Sequence, residues 1–254
     1  MFSYLKQLDL IRTLTAFEIK LRYRGSLLGI GWSLISPLLL ALVLYAVFKN
    51  AFRFEMDNFA FYLLIGIFVF RFLSVGTSVG MRSIIDKAHI VTKTPIPREI
   101  LTITTTLSYF ISSFVELLIL VLILAFFGVG IGSAILLLPV CHIVYFILVY
   151  GINLFLSAFM VYYRDLTQIW EVFLNVLFFA SPIVYPISII PANIIPIYML
   201  NPITRLIVMY RSVMLYNRLP NAIDFCYVFI FSCLVLLAGH LFFQKLQSRF
   251  AEVI

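Results

Sequence analysis

Residues 26–48 read SLLGIGWSLISPLLLALVLYAVF, an unbroken run without a charge. At the helical rise of about 1.5 Å per residue, such a run reaches roughly 35 Å. That is enough to cross the roughly 30 Å hydrocarbon core of a bilayer. Pro37 lies inside it. In a membrane helix the backbone group that proline frees is satisfied by neighbouring helices and side chains, so the run reads as one span. The composition agrees with lipid as solvent. Of 254 residues 63% are hydrophobic and 11% charged, with a mean hydropathy of +1.11. A soluble domain holds about 45–50% apolar and about 25% charged residues.

Working outward, residues 4–24 read as an amphipathic helix. Leu10, Leu14, Phe17 and Leu21 recur at helical spacing, while Arg12, Lys20 and Arg24 fall elsewhere. A basic segment of this kind lies in the membrane interface, so 1–25 forms an interface unit and 26–254 the transmembrane domain. Lys6, Asp9, Arg12 and Glu18 leave no apolar core of signal-peptide type, and the first run is expected to stay as a membrane helix. Further spans fall at about 59–81, 100–127, 133–162, 167–190 and 222–243. The second holds Gly76-x-x-x-Gly80, a close-packing signature. The fifth is broken by Pro182 and Pro186, with Pro191 and Pro196 beyond it. Residues 191–221 remain apolar but are interrupted by Pro202, Arg205, Arg211 and Arg218. The expected fold class is therefore an all-α integral membrane protein of six transmembrane helices. An interface helix precedes them, and a re-entrant outer hairpin lies between helices five and six. Pro182, Pro186, Pro191, Pro196, Asn201 and Pro202 are the candidates for an outer gate.

Charge sets the orientation. With six spans, one side collects Lys6, Arg12, Lys20, Arg22, Arg24, Arg82, Lys87, Lys93, Arg98, Arg164, Lys245 and Arg249. The other holds only Lys49, Arg53, Arg205, Arg211 and Arg218. Cytoplasmic loops are the ones enriched in Lys and Arg, so both termini are expected in the cytoplasm, at the cytoplasmic (inner) membrane. The net charge of +7 is then a property of one membrane face, suited to anionic lipid rather than to nucleic acid. Cys141, Cys226 and Cys233 lie in apolar runs with no CxxC and no Cys/His ligand spacing, and His89, His142 and His240 are far apart in sequence, so no metal site is proposed.

There is no GxxxxGK[ST] phosphate loop, HExxH or GxSxG. The chain therefore shows no ATP site or catalytic site of these types, and a process driven by ATP would place the nucleotide on another chain. Arg71 and Glu116 sit deep in apolar runs, each at a cost of about 2.5–3.5 kcal/mol unless compensated. Counted along their helices from the inner ends, their depths are roughly 15 and 24 Å, so separate satisfaction is expected rather than direct pairing. Both are candidates for lining a polar conduit. The aromatic residues Trp32, Tyr109, Tyr150 and Tyr185 either belong to interface belts or stack on sugar rings along a path, and the residues alone leave both open. Between spans two and three, residues 82–93 place Ile84, Ile85, Ala88 and Val91 at helical spacing, with Asp86, Lys87 and Lys93 off that face. Pro95 and Pro97 stop the helix.

Several motifs occur in a telling order. Arg22-Tyr23-Arg24 leads into Gly25-Ser-Leu-Leu-Gly29-Ile-Gly-Trp32, and Pro37 follows. Pro95-Ile96-Pro97-Arg98-Glu99 precedes span three, and Tyr163-Arg164-Asp165-Leu166 follows span four. Ser181-Pro182-Ile183-Val184-Tyr185 breaks span five, and Asn201-Pro202 and Tyr210-Arg211 precede the last span. Together they resemble the type-2 ABC transporter permeases that export O-antigen polysaccharides and teichoic acids, over nearly the whole chain. The common form has an aromatic where this chain has Ile96. The resemblance implies a homodimer, two copies of a separate ABC ATPase that binds ATP and Mg, and a lipid-linked polysaccharide passing between the two permeases. It also implies that the segment carrying Ile84, Ile85, Ala88, Val91, Pro97 and Arg98 couples to the ATPase. Two other classes fit the composition. A membrane transferase acting on lipid-linked sugars would need an acidic or nucleophile–base pair on a loop, where Asp165 and Glu171 stand nearest. An ion-driven transporter would show inverted repeats and intramembrane acids.

Overall fold

A computed structural model describes residues 4–29, 31–50, 56–94 and 96–253. Arg53 and Pro95, used above, lie outside the described residues. Helices account for most of the described chain, and no strand occurs among the described residues. In order they are α1 (Tyr4–Tyr23), α2 (Gly31–Asn50), α3 (Phe59–Gly80), α4 (Ala88–Lys93), α5 (Glu99–Phe126), α6 (Leu138–Met160), α7 (Leu166–Phe179), α8 (Ile195–Tyr198), α9 (Pro202–Met214), α10 (Ala222–Gln247) and α11 (Phe250–Val253). A 3₁₀ turn, Ser133–Leu137, leads into α6. Five segments are long and apolar enough to cross a membrane: α2, α3, α5, α6 with its leading turn, and α10.

The central helix is α3, of whose 22 residues 15 are buried. It is the most buried of the five spans, from Leu63 and Ile65 to Phe68, Val69 and Leu73, and it packs against α2, α5, α6, α7 and α9. The glycine motif works here. A Cβ on Gly80 would fall about 2.2 Å from the amide of Asn153 in α6. That amide donates to the Gly76 carbonyl (3.2 Å) and to the Thr106 hydroxyl of α5 (2.9 Å), so one polar side chain ties three helices. The most extensive helix pair, α6 with α10, owes its closeness to two glycines that carry no recognised motif. A Cβ on Gly151 would meet the Leu236 nitrogen at 2.6 Å, and one on Gly239 would meet the Gly151 carbonyl oxygen at 2.3 Å. Close backbone approach of this kind is what holds helices together where lipid removes the hydrophobic drive.

Two expectations change. The fifth span is not one helix over 167–190: α7 stops at Phe179, and after the exposed Ala180 residues 181–185 continue as buried and half-buried turns. Pro182 and Pro186 remove backbone donors where the helix would have run on. At 14 residues α7 reaches only about 21 Å. Similarly, 82–93 is not one amphipathic helix. Met81–Lys87 is a string of turns, and only Ala88–Lys93 is helical. Neighbours on three elements pull this stretch out of register. Ser83 meets Thr102 of α5 (3.1 Å), Ile84 is fully buried, and Lys87 reaches Glu18 of α1.

Contacts sort the connections into two ends. At one end, Lys87 pairs with Glu18, Arg98 donates to the Gln247 carbonyl, and His240 lies 2.9 Å from Glu99. At the other, Asn217 accepts from the Ala134 amide (3.3 Å), Phe61 packs on Phe127, and Arg211 reaches Tyr62.

Candidate functional site

The N-terminal half of α5 carries a polar stripe in an otherwise apolar span: Thr102, Thr104, Thr105, Thr106, Ser108, Ser112 and Ser113. Part of it faces α1. Glu18 accepts from Thr105 (3.0 Å) and Ser108 (3.3 Å). One turn further, Arg22 donates to Ser108 (2.7 Å) and Ser112 (2.9 Å), and its guanidinium lies 3.5 Å from the centre of the Tyr109 ring. Helix α1 is thus fastened to α5 by charge-assisted hydrogen bonds and a cation–π contact, interactions that gain strength away from water.

Beyond Arg22 opens a cavity of about 240 Å³, whose walls include Arg22, Trp32, Arg71, Tyr109, Ser113 and Glu116. Four of the six conduit candidates therefore meet in one place. Arg71 donates to the Ser33 carbonyl (2.6 Å) and stands 3.9 Å from Glu116. The two charges do approach, against the depth count. That count took residue 100 as the membrane edge, whereas the first turns of α5 run beside α1, below the apolar part of the bundle. The remaining two candidates are elsewhere. Tyr150 stacks on Phe146, and Tyr185 belongs to the helix break.

Two further cavities share walls with this one. The first, about 400 Å³, shares Arg22 and Tyr109 and extends past Glu18 and Asp86 to Lys87, beside α4. The second, about 520 Å³, shares Arg71 and Val75 and runs between α2, α3 and α7, past Ser36, Pro37, Ser74, Glu171 and Asn175. Together they form one groove from the α1–α4 end toward the α7 break. On α7 its polar wall is Glu171, which the sequence offered only as part of an acidic pair with Asp165, and Asn175; Asn175 and the hydroxyls on α2, α3 and α5 were not singled out from sequence. The visible signal was the density of Ser and Thr along one span. All of α7 except Leu174 is at least partly uncovered, and Ile169, Val172, Phe173, Val176 and Phe179 are exposed.

The break itself is held from inside. Tyr185 donates to the Phe179 carbonyl (2.6 Å) and lies 2.9 Å from the Tyr198 hydroxyl. Asn201 caps α9 by accepting from the Ile203 amide (2.9 Å), and its amide donates to Ala180 and Ser181. Pro202 begins α9, where its missing donor is no loss. Arg211, buried in α9, donates to the carbonyls of Tyr62 (2.9 Å), Pro182 (2.5 Å) and Ile183 (3.0 Å) and lies 3.2 Å from the Tyr62 ring centre. Arg205 pairs with Asp224 at the head of α10 and lies over the Tyr227 ring. The candidates Pro186, Pro191 and Pro196 lie in the half-buried or exposed stretch between these anchors.

At the opposite end, the coupling candidates divide. Ile84 and Val91 are buried against Leu101, Leu154, Phe243 and Phe250, and Ile85 and Ala88 are half-buried. Arg98 is turned onto the α10 terminus. The outward surface consists of Arg82, Asp86, His89, Thr92, Lys93 and Pro97.

The profile of the ABC-2 type transporter family matches residues 9–215. The chain is 26% identical to an O-antigen export system permease protein RfbA of Klebsiella pneumoniae, over 97% of this chain and 95% of that protein. It is 30% identical to the protein of the same name from Myxococcus xanthus, over 96% of this chain and 95% of that one.

Proposed function

This chain belongs to the ABC-2 type transporter family, and we propose that it is the permease of an ATP-driven exporter that moves a lipid-linked polysaccharide across the cytoplasmic membrane. One observation carries the reading: the groove of three adjoining cavities, lined by hydroxyls, aromatic rings and balanced charges inside an apolar bundle. Such a lining offers a sugar chain what water offered it, hydrogen-bond exchange for its hydroxyls and apolar ring faces for its C–H surfaces. The substrate class follows the matching O-antigen export permeases.

In this reading α7 and the break complete a sixth crossing. Trp170 donates to Thr77 near one end of α3 (2.8 Å), Phe178 packs on Phe70, and Ile183 reaches the Arg211 site near the other. Residues 186–214 then form the re-entrant outer hairpin, and both termini lie in the cytoplasm. A second copy closes the open side of the groove along the uncovered face of α7. Two ATPase subunits, which bind ATP and Mg, dock on the surface around α4.

The test is complementation in a cell that lacks its own permease. The chain with its ATPase should restore surface polymer, and the two proteins should co-purify. Trp32→Ala combined with Tyr109→Ala should lower export about tenfold, at ~0.5–1.5 kcal/mol per lost ring contact, with co-purification retained. Full export from the double variant would remove the groove from the path.

A further inference from the structure

The chain carries a net charge of +7, but its groove does not. The three cavities are lined by three cations, Arg22, Arg71 and Lys87, and by four carboxylates, Glu18, Asp86, Glu116 and Glu171. Including Arg82, which reaches Asp86 at 3.4 Å, the balance is even. Each lining cation is also already engaged. Lys87 is held by Glu18 and donates to Thr105 (2.8 Å). Arg22 is divided between Ser108, Ser112 and the Tyr109 ring. Arg71 donates to the Ser33 carbonyl and stands beside Glu116.

From this we infer that the groove is selective for an uncharged polyhydroxylated chain and discriminates against a polyanion; the inference rests on the groove being the polymer's path. A conduit for a chain with a phosphate or carboxylate on every repeat presents free cations along its length, because an anion leaving water needs opposite charge or donors in exchange. Here a repeating anion would pass Glu116 and Glu171 with every cation of the lining occupied, and like charges facing each other in a medium less polar than water repel strongly. An uncharged sugar meets no such penalty. The hydroxyls of Ser36, Ser74, Ser112 and Ser113 exchange hydrogen bonds with its hydroxyls, and Trp32 and Tyr109 meet its ring faces. A second copy of the chain brings the same residues, so pairing doubles the balance without changing its sign. A single anionic anchor at the end of the polymer passes once, whereas a charge on each repeat incurs the penalty throughout.

The experiment uses the full chain with its ATPase in cells that assemble, on one lipid carrier, either polymannose or poly(glycerol phosphate). Surface polymer is measured per polymer made. Wild type is expected to export the neutral polymer at least about tenfold faster, a modest like-charge penalty. Glu116→Gln with Glu171→Gln should raise the anionic-to-neutral ratio about fivefold by removing both carboxylates. Glu171→Gln alone, at an exposed position, should raise it about twofold and stands in if the double variant fails to insert. Equal wild-type rates, or a ratio unmoved by either variant, overturn the inference and leave the exporter reading intact. Export of neither polymer by wild type overturns the exporter reading itself.

Discussion

Arg211 is a charge held by carbonyls rather than by a carboxylate. Three of its donors meet backbone oxygens of Tyr62, Pro182 and Ile183, two of which belong to the stretch where helix α7 has given out. A guanidinium fork suits this task, since its donors diverge in one plane toward separate acceptors. Arg211→Ala is expected to destabilise the protein by about 3–5 kcal/mol, because buried carbonyls lose charge-assisted bonds and find no replacement. Arg211→Lys should recover less than half of that, since an ammonium cannot serve both sides of the break. Thermal unfolding in detergent micelles, followed by tryptophan fluorescence, measures both. Equal stability of the lysine variant and wild type would mean that charge alone matters. The sequence showed the break through its prolines and showed Arg211 as an interruption of an apolar stretch. It did not show the tie between them, because a backbone carbonyl is the same acceptor at every position and carries no sequence signal. Arg71 and Glu116 teach a related lesson. Two intramembrane charges were legible as a cost, but their meeting depends on how α5 is set along α3, which hydropathy does not fix.

At the scale of elements, hydropathy located the long helices to within a few residues, since a bilayer sets their length. It succeeded less with the segment between α3 and α5. Its apolar spacing identified which side chains are buried, and Ile84 and Val91 are, but it did not identify what buries them. The burying surface is α5, α6 and the C-terminal Phe243 and Phe250, far apart in sequence. The face expected to bind the ATPase is therefore largely inward, and the outward one is polar. Ile84→Asp should consequently reduce folded protein severely, by more than about 3 kcal/mol, as an unpaired charge in an apolar cluster. Lys93→Glu with His89→Glu should leave folding within about 0.5 kcal/mol, as surface changes do, while weakening ATPase co-purification about tenfold through reversed charge at a contact rim. Size-exclusion profiles and pull-down yields separate the two effects. Normal folding of the Ile84 variant would contradict the inward packing, and undiminished pull-down from the Lys93 pair would move the docking surface to α1.

For the whole molecule, the proposed outer hairpin divides into a fastened arm and a loose one. The fastened arm is α9, with nine of its 13 residues buried. Arg205 ties it to α10, Arg211 ties it to α3, and the Tyr210 hydroxyl lies 2.7 Å from His142 in α6. The loose arm is the stretch from Pro186 to Leu200, where no residue is buried and Ile189, Ile194, Ile197 and Leu200 are exposed. Polar ties hold its C-terminal end, Tyr198 to Tyr185, Met199 to Arg205 and Leu200 to Tyr227, and leave its middle free of them. A gate over the groove therefore has its moving part in the loose arm and its post in α9, since segments with few buried contacts open at the lowest free energy. Single cysteines at Ile189, Ile194 and Ile197, in a background freed of the native three, are expected to react with an impermeant thiol reagent added outside. Their rates should change by about threefold or more between resting and ATP-driven states, the response of a segment at the low-stability end. A cysteine at Val213, buried in α9, should stay unreactive in both states. Reaction at Val213 in step with the others would make the whole hairpin the moving body. Equal rates at Ile189, Ile194 and Ile197 in both states would assign the outer barrier to the uncovered faces of α7 instead.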